Sequence, residues 1–206
     1  MPKNTTNMPA ALLVFAKPPV LGQVKTRLAH DIGQVRALAV YERLLQHTAN
    51  ITNALAAADV YVYWTQEPAP KAACRAWFAP STQHRRQIES PDLGERMQAA
   101  FADMFQQNYR AVVIIGSDCP QIQTAHLDTA FAHLLGGEDN RAALGAAEDG
   151  GYYLLGLQSM KTEVFSGKQW STSSVFADTL ADLQAQQTNT LLLPTLRDID
   201  TAADLE

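Results

Sequence analysis

The stretch Ala111-Val-Val-Ile-Ile-Gly-Ser-Asp118 decides the fold class. Its five consecutive apolar residues predict a short strand that is buried on both faces, as in a parallel sheet. A carboxylate directly after such a strand is unexpected unless it faces a cleft, and ligands of parallel sheets bind beyond the carboxyl ends of the strands. Asp118 is therefore the first candidate for a functional residue. The alternative is that Asp118 caps the following helix.

Strand and helix patterns alternate on both sides of this stretch. Strands are predicted at 11–16, 59–64, 142–146, 152–157 and 190–193, with a weaker one near 86–89. Helices are predicted at 32–58, 71–79, from Asp92 onward, at 124–135 with Thr124 as the cap, and at 175–186. This alternation predicts an α/β fold, with a mostly parallel central sheet and helices on both faces. We expect residues 1–9 to form a flexible tail and residues 10–206 to form one domain.

Composition excludes several classes of protein. With a net charge of −5, the chain has no general attraction to nucleic acid. The apolar runs are too short to cross a bilayer, so membrane insertion is not expected. The two cysteines, Cys74 and Cys119, lack the spacing of a zinc site, and no base for a nucleophilic Cys119 is evident. A cytoplasmic protein is expected, and the oligomeric state is left open.

A cationic segment follows the first predicted strand. It contains Lys17, Lys25 and Arg27 within eleven residues, together with Gly22, which allows a close approach of the backbone to a ligand. These cations could bind phosphate oxygens, although solvated surface charge is the alternative. The spacing matches neither a P-loop nor the G-x-G-x-x-G dinucleotide motif.

Two acidic segments lie later in the chain. Residues 148–153 read Glu-Asp-Gly-Gly-Tyr-Tyr, which suits a turn close to a ligand or an ordinary hairpin turn. Asp198 and Asp200 point to the same side if the chain is extended, but Asp200 or Thr201 could instead cap a last helix. A hard cation such as Mg²⁺ or Mn²⁺ is bound by one or two such carboxylates together with substrate phosphates.

Six segments together resemble one bacterial family. They are FAKPPVLGQVKTRLA, DLGERMQAAF, IIGSDCPQI, EDGGYYLLGL, WSTSSV and LRDIDTAADL, and they run in order across nearly the whole chain. The set is similar to the DUF2064 group of GT-A-like transferases, which includes glycosyltransferases associated with arsenosugar biosynthesis. The wider similarity extends to phospholactate and molybdenum-cofactor guanylyltransferases.

This resemblance implies a GT-A, Rossmann-like fold and a set of site residues. Mg²⁺ or Mn²⁺ would be bound by Asp118, with Asp200 as a possible second ligand. The nucleotide and its phosphates would be bound by Lys17, Gly22, Lys25, Arg27 and Ser117. The substrate cleft would contain Glu148, Asp149, Gly150, Gly151 and Trp170.

The expected function is transfer from a nucleotide-activated donor to a small-molecule acceptor. A nucleotide-diphospho-sugar glycosyltransferase is favoured, with Asp118 and Asp149 as catalytic residues and Asp149 or Glu148 as the nearest candidate base. A guanylyltransferase-like nucleotidyltransferase that releases pyrophosphate is the main alternative, and a non-catalytic nucleotide-binding domain is a third. The base, the sugar and the acceptor are left open.

Overall fold

A seven-stranded sheet runs through the middle of the computed structural model, which describes residues 9–66, 73–137 and 140–205. The strands are β1 (Ala10–Ala16), β2 (Asp59–Trp64), β3 (Gln83–Arg86), β4 (Ala111–Ile115), β5 (Arg141–Ala147), β6 (Tyr152–Leu157) and β7 (Asn189–Leu196). The helices are α1 (Thr26–Ile32), α2 (Gln34–Asn53), α3 (Leu93–Gln106), α4 (Thr124–Leu135) and α5 (Val175–Ala185). Three 3₁₀ segments span Ala73–Trp77, Thr162–Phe165 and Ala202–Leu205.

The strand order is β3-β2-β1-β4-β6-β5-β7. Strand β6 is antiparallel to both of its neighbours, whereas the other four pairings are parallel. All strands except β6 therefore end at the same edge of the sheet. The prediction of an α/β fold with a mostly parallel sheet is confirmed.

Two hydrophobic layers cover the two faces of the sheet. Along β1, Leu12 and Val14 belong to one layer and Leu13 to the other, as expected for side chains that alternate across a strand. The first layer includes residues of α2 and α4, and the second includes residues of α3 and α5. Because both faces of the central strands are buried, these strands read as continuous apolar runs. Helices on both faces are likewise confirmed.

The helix predicted over 32–58 is shorter than expected and has a separate helix in front of it. Gly33, with a φ of 84°, interrupts the chain between α1 and α2 and follows directly on Ile32. The end of the cationic segment, from Thr26 onward, is consequently helical. The helix predicted over 71–79 is a short 3₁₀ segment at residues 73–77 and not an α-helix. Residues 71–72 lie outside the described part of the chain.

Three smaller differences concern segment ends. Strand β3 lies at 83–86 rather than 86–89, and its polar residues are tolerated because β3 is an edge strand. Gln123, not Thr124, caps α4, and the Thr124 hydroxyl instead donates to the carbonyl oxygen of Ile51 in α2. The tail predicted over 1–9 lies, apart from Pro9, outside the described residues. Within the described ranges, no helix is long and apolar enough to cross a membrane.

Candidate active site

The candidate site lies at the edge where six strands end. The cationic segment follows β1, Gly116 to Asp118 follow β4, and the 148–151 turn follows β5. Residues 197–200 follow β7 and reach the same edge because β7 is parallel to β5. The parallel order thus collects segments that are as much as 175 residues apart in the sequence.

A first cavity of about 410 Å³ opens at the ends of β1 to β4. Its wall contains most of the predicted nucleotide-binding residues and several apolar side chains. Its lining residues include Phe15, Lys17, Lys25, Arg27, Gln87, Leu93, Arg96, Ser117, Asp118 and Asp200. A cavity of this size and mixed character is typical of small-molecule sites.

Lys25 lies between the two carboxylates predicted to bind a metal. Its Nζ is 2.9 Å from Oδ1 of Asp118 and 2.9 Å from Oδ1 of Asp200, and its side chain is only 4% exposed. Burial lowers the pKa of Lys25, but the two adjacent carboxylates outweigh this and the net shift is upward. Arg27, which is largely exposed, contacts the other oxygen of Asp200 at 2.5 Å. Two cations of the first segment therefore converge on one carboxylate.

Tyr41 of α2 fixes the first turn against the end of β4. Its hydroxyl accepts from the Lys17 amide at 2.9 Å, donates to the Lys17 carbonyl oxygen at 2.8 Å, and lies 3.4 Å from the Ser117 hydroxyl. Burial raises the pKa of Tyr41, so the phenol stays neutral. The backbone of Lys17 is thus fixed, although Lys17 as a whole is exposed to solvent at the wall of the first cavity.

A second cavity of about 130 Å³ shares Gly116 and Asp118 with the first. Asp149 and Asp198 also line it, together with small, aromatic and apolar residues. Burial, followed by the charges of Asp149, Asp200 and Asp118, raises the pKa of Asp198 to about 6. No lysine, arginine or histidine of the described residues lines this cavity. The second cavity is therefore acidic, and it meets the cationic first cavity at Asp118.

Cys119 also lines the second cavity but is 7% exposed. Burial raises the pKa of its thiol, which keeps the sulfur protonated and a poor nucleophile.

The donor atoms at the cavity junction suit a hard divalent cation. Oδ1 of Asp118 is a buried oxygen that makes no well-formed hydrogen bond among the described residues, although the Lys25 ammonium lies beside it. The described residues contain no cluster of three or more His, Cys, Asp or Glu that could bind a metal by themselves. Mg²⁺ commonly binds one or two carboxylates and completes its coordination with phosphates and water. Asp118 and Asp200 match that pattern.

Four predicted residues line neither cavity. Glu148 is exposed and pairs with Nε of Arg197 at 2.9 Å. Gly22, with a φ of 76°, faces the side chain of Gln34. Gly150 lies against Ser173, and Trp170 lies against the beginning of α3. Gly151 does line the second cavity, and its amide donates to Oδ1 of Asp149 at 2.8 Å.

Trp170 and Gly150 belong to contacts of the 170–176 segment. The Trp170 indole donates to Oδ1 of Asp92, which also caps α3. At Gly150, with a φ of 89°, a Cβ would lie 2.2 Å from the carbonyl oxygen of Ser173, and the Gly150 carbonyl accepts from the Phe176 amide. The segment thus joins the beginning of α3 to the 148–151 turn.

Two polar residues of the first cavity, Arg96 and Gln87, were not assigned from the sequence. Asp198, which was noted there only as a neighbour of Asp200, lines the second cavity. Arg96 lies within the quoted DLGERMQAAF segment, but the helical pattern drew attention to its apolar neighbours only. Gln87 directly follows β3, but the strand predicted over 86–89 contains it, so nothing in the sequence indicated its position at a strand end.

The comparisons agree with this architecture. The profile of DUF2064, described as an uncharacterized protein conserved in bacteria, matches residues 48–172. A crystal structure from Desulfovibrio desulfuricans G20, whose assignment as a nucleotide-diphospho-sugar transferase is provisional, shares 33% identity at a TM-score of 0.84. The match covers 95% of this chain and 84% of that one. No curated protein matches significantly.

More distant structures share the fold alone. CMP:2-keto-3-deoxy-manno-octonic acid synthetase in complex with CTP is 13% identical at a TM-score of 0.60, covering 96% of this chain and 95% of its own. Glucosyl-3-phosphoglycerate synthase from Mycobacterium tuberculosis, in complex with Mn²⁺, UDP and glucosyl-3-phosphoglycerate, is 12% identical at 0.55, covering 96% and 74%. The family match, the 33% identical structure and the fold lead to one conclusion: the chain belongs to the DUF2064 family and has a GT-A-type fold.

Proposed function

We propose that the chain is a metal-dependent transferase that uses a nucleotide-activated donor, and that it transfers the sugar of a nucleotide-diphospho-sugar. The observation that carries this proposal is the position of Asp118 in the walls of both cavities. A donor phosphate group in the cationic cavity and an acceptor in the acidic one would meet at that carboxylate.

The first cavity fits the nucleotide and its diphosphate. Lys17, Lys25 and Arg27 come from the segment after β1, and each can donate to phosphate oxygens. Mg²⁺ or Mn²⁺, held by Asp118 and Asp200, would supply positive charge to the diphosphate as it leaves. Lys25 is already attracted to both carboxylates, and its ammonium would bind the phosphate oxygens next to them. Preorganised positive charge of this kind stabilises a departing diphosphate.

The second cavity fits the acceptor. An acceptor hydroxyl would form a bond to the anomeric carbon of the sugar while the bond from that carbon to the diphosphate oxygen breaks. The hydroxyl proton would pass to Oδ2 of Asp149, because Oδ1 of Asp149 already accepts from the Gly151 amide. The products are the glycosylated acceptor and a nucleoside diphosphate.

The charge of the second cavity favours a hydroxyl acceptor over a phosphate. In a nucleotidyltransferase, an acceptor phosphate would attack the α-phosphate of a nucleoside triphosphate and pyrophosphate would leave. That acceptor phosphate would here face Asp149 and Asp198, and none of the described residues that line the cavity is a cation, which is electrostatically unfavourable. Nucleotidyl transfer remains the second candidate because the many cations of the first cavity suit a triphosphate.

Product analysis with a panel of nucleotide-diphospho-sugars and nucleoside triphosphates tests the proposal. A nucleoside diphosphate released from a nucleotide-diphospho-sugar, and only in the presence of Mn²⁺, would support sugar transfer. Release of pyrophosphate from a nucleoside triphosphate would establish nucleotidyl transfer instead. Release of neither product, with or without nucleotide binding, would contradict both and favour a non-catalytic domain.

Thermal stabilisation by the same ligands tests the role of Asp118. A ligand at one hundred times its Kd adds about 2.7 kcal/mol to the free energy of unfolding. We expect Asp118→Asn to lose the Mn²⁺-dependent part of this stabilisation, measured against its own ligand-free melting temperature, which falls because Lys25 loses one carboxylate partner. Asp128→Asn, on an exposed part of α4, is the control and should behave as the wild type. Full Mn²⁺ dependence in Asp118→Asn would contradict the metal role.

A further inference from the structure

Arg96, on the first turn of α3, is fixed in the wall of the first cavity by a buried amide. Its Nη1 donates to Oε1 of Gln87 at 2.9 Å, and its Nε approaches the carbonyl oxygen of Asp92 at 3.4 Å. Gln87 is 5% exposed, and its Nε2 donates to the carbonyl oxygen of Tyr63 at 2.9 Å. Both polar atoms of the Gln87 side chain are thus occupied, and Gln87 is a positioning residue for the guanidinium.

Within the described part of the chain, the Arg96 guanidinium has no ion pair of the kind that a partly buried cation normally makes. No carboxylate of the described residues lies within 4.0 Å of it, whereas Arg85 and Arg27 both have such partners. A guanidinium carries five N–H donors. Two of those of Arg96 are used, so three remain without a protein acceptor in the described structure. Burial lowers the pKa of Arg96, partly offset by the charge of Asp92, and partly buried charges are generally paired.

The order of the strands separates Gln87, and with it the Arg96 guanidinium, from Asp118. Gln87 directly follows β3 and Asp118 lies just beyond the end of β4, and the order β3-β2-β1-β4 separates these strands by three steps. At about 4.8 Å a step, the two strands are roughly 14 Å apart. A nucleoside diphosphate that has its phosphates at Asp118 and Lys25 would extend its base toward β2 and β3. Phe15 and Leu93 add apolar surface to the same cavity.

We infer that Arg96 reads the nucleotide base and selects a base that presents two adjacent hydrogen-bond acceptors, as guanine and cytosine do. This inference rests on the proposed function, because it requires a nucleotide in the first cavity. Guanine offers O6 and N7, and cytosine offers O2 and N3, to the forked donors of a guanidinium. Adenine pairs its N7 acceptor with an amino donor, and uracil alternates acceptors with a donor. Since arginine only donates, both are worse partners.

Calorimetric titration of four nucleoside diphosphates in the presence of Mn²⁺ tests the inference. Wild-type protein should bind GDP or CDP roughly ten- to one hundredfold more tightly than ADP and UDP. In Arg96→Lys, which keeps the positive charge but loses the paired N–H donors of the guanidinium, this preference should fall to about threefold or less. Arg36→Met, at an exposed arginine of α2, is the control and should keep the wild-type preference.

Inorganic pyrophosphate separates a contact to the base from a contact to the phosphates. Its affinity should be the same in wild type and Arg96→Lys. Tighter binding of ADP or UDP by the wild type, a preference that survives Arg96→Lys, or a parallel loss of pyrophosphate binding would each overturn the inference. Absence of binding by every nucleotide and by pyrophosphate would refute the proposed function as well. Binding of all four nucleotides with equal affinity would refute this inference alone.

Discussion

Replacing Lys25 by methionine should make the stability of the protein depend on a divalent metal. The substitution keeps much of the side-chain volume but removes the ammonium that lies 2.9 Å from both Asp118 and Asp200. The two carboxylates would then repel each other without a cation between them. Mn²⁺ supplied alone, with no nucleotide, could relieve that repulsion.

The size of the effect follows from the burial of the three groups. Removing one partner of a fully buried ion pair costs about 3–5 kcal/mol, and exposed pairs contribute about 0.2–1 kcal/mol. Lys25 is 4% exposed, but Asp118 and Asp200 are 44% and 27% exposed, which places the case between these limits. A loss of roughly 2–3 kcal/mol corresponds to a fall in melting temperature of about 5–10 °C for a chain of this length.

Thermal denaturation with increasing Mn²⁺ measures both parts of this prediction. We expect Mn²⁺ to raise the melting temperature of Lys25→Met by several degrees more than that of the wild type, in which the ammonium competes. Lys168→Met is a matched control, because Lys168 is 3% exposed and pairs with Asp182 away from both cavities. It should lose stability and gain nothing from Mn²⁺. Equal Mn²⁺ effects in wild type and Lys25→Met would refute this account of the metal site.

Three further variants test other parts of the site. Trp170→Phe removes the indole N–H and its hydrogen bond to Asp92, which should cost about 1 kcal/mol and lower the melting temperature by about 2–4 °C. The Kd for nucleotide should not change, and a higher Kd would place Trp170 at the ligand. Gly150→Ala should lower the free energy of unfolding, measured by denaturant titration, by about 2 kcal/mol or more, because φ is positive there and the new Cβ would collide with the carbonyl of Ser173. Gly167→Ala, where φ is also positive but space is open, should lower it less, and equal losses would exclude the collision. Asp149→Asn should lower turnover by roughly 10²–10⁴-fold with unchanged nucleotide Kd, and retained turnover would exclude Asp149 as the base.

The buried strands were predictable because a strand that is covered on both faces needs apolar side chains at successive positions. Strands β1, β4 and β6 are covered on both faces, so an unbroken apolar run marks each of them within about a residue. Strand β3 carries no such run, since an edge strand can be polar, and its position was misjudged by three residues. Helix α1 was missed because it has only seven residues and a glycine separates it from α2.

The candidate site was predictable in outline but not in its contacts. Parallel strands that end in charged segments indicate a cleft, and Lys25, Asp118 and Asp200 do meet there. That the ammonium lies between the two carboxylates depends on the fold of segments far apart in sequence. Arg96 could not be assigned because its role depends on the buried amide of Gln87, which a helical pattern does not reveal.

The 170–176 segment has a practical meaning for exchanging parts among members of the family. It touches the start of α3 through Trp170 and the 148–151 turn through Ser173 and Phe176. A chimera that imports only the turn from a relative, in order to change the acceptor, would place a foreign loop against an unmatched surface. Moving the turn together with residues 170–176 would preserve the packing at Gly150. These two stretches, separated in the sequence, therefore form one transplantable unit.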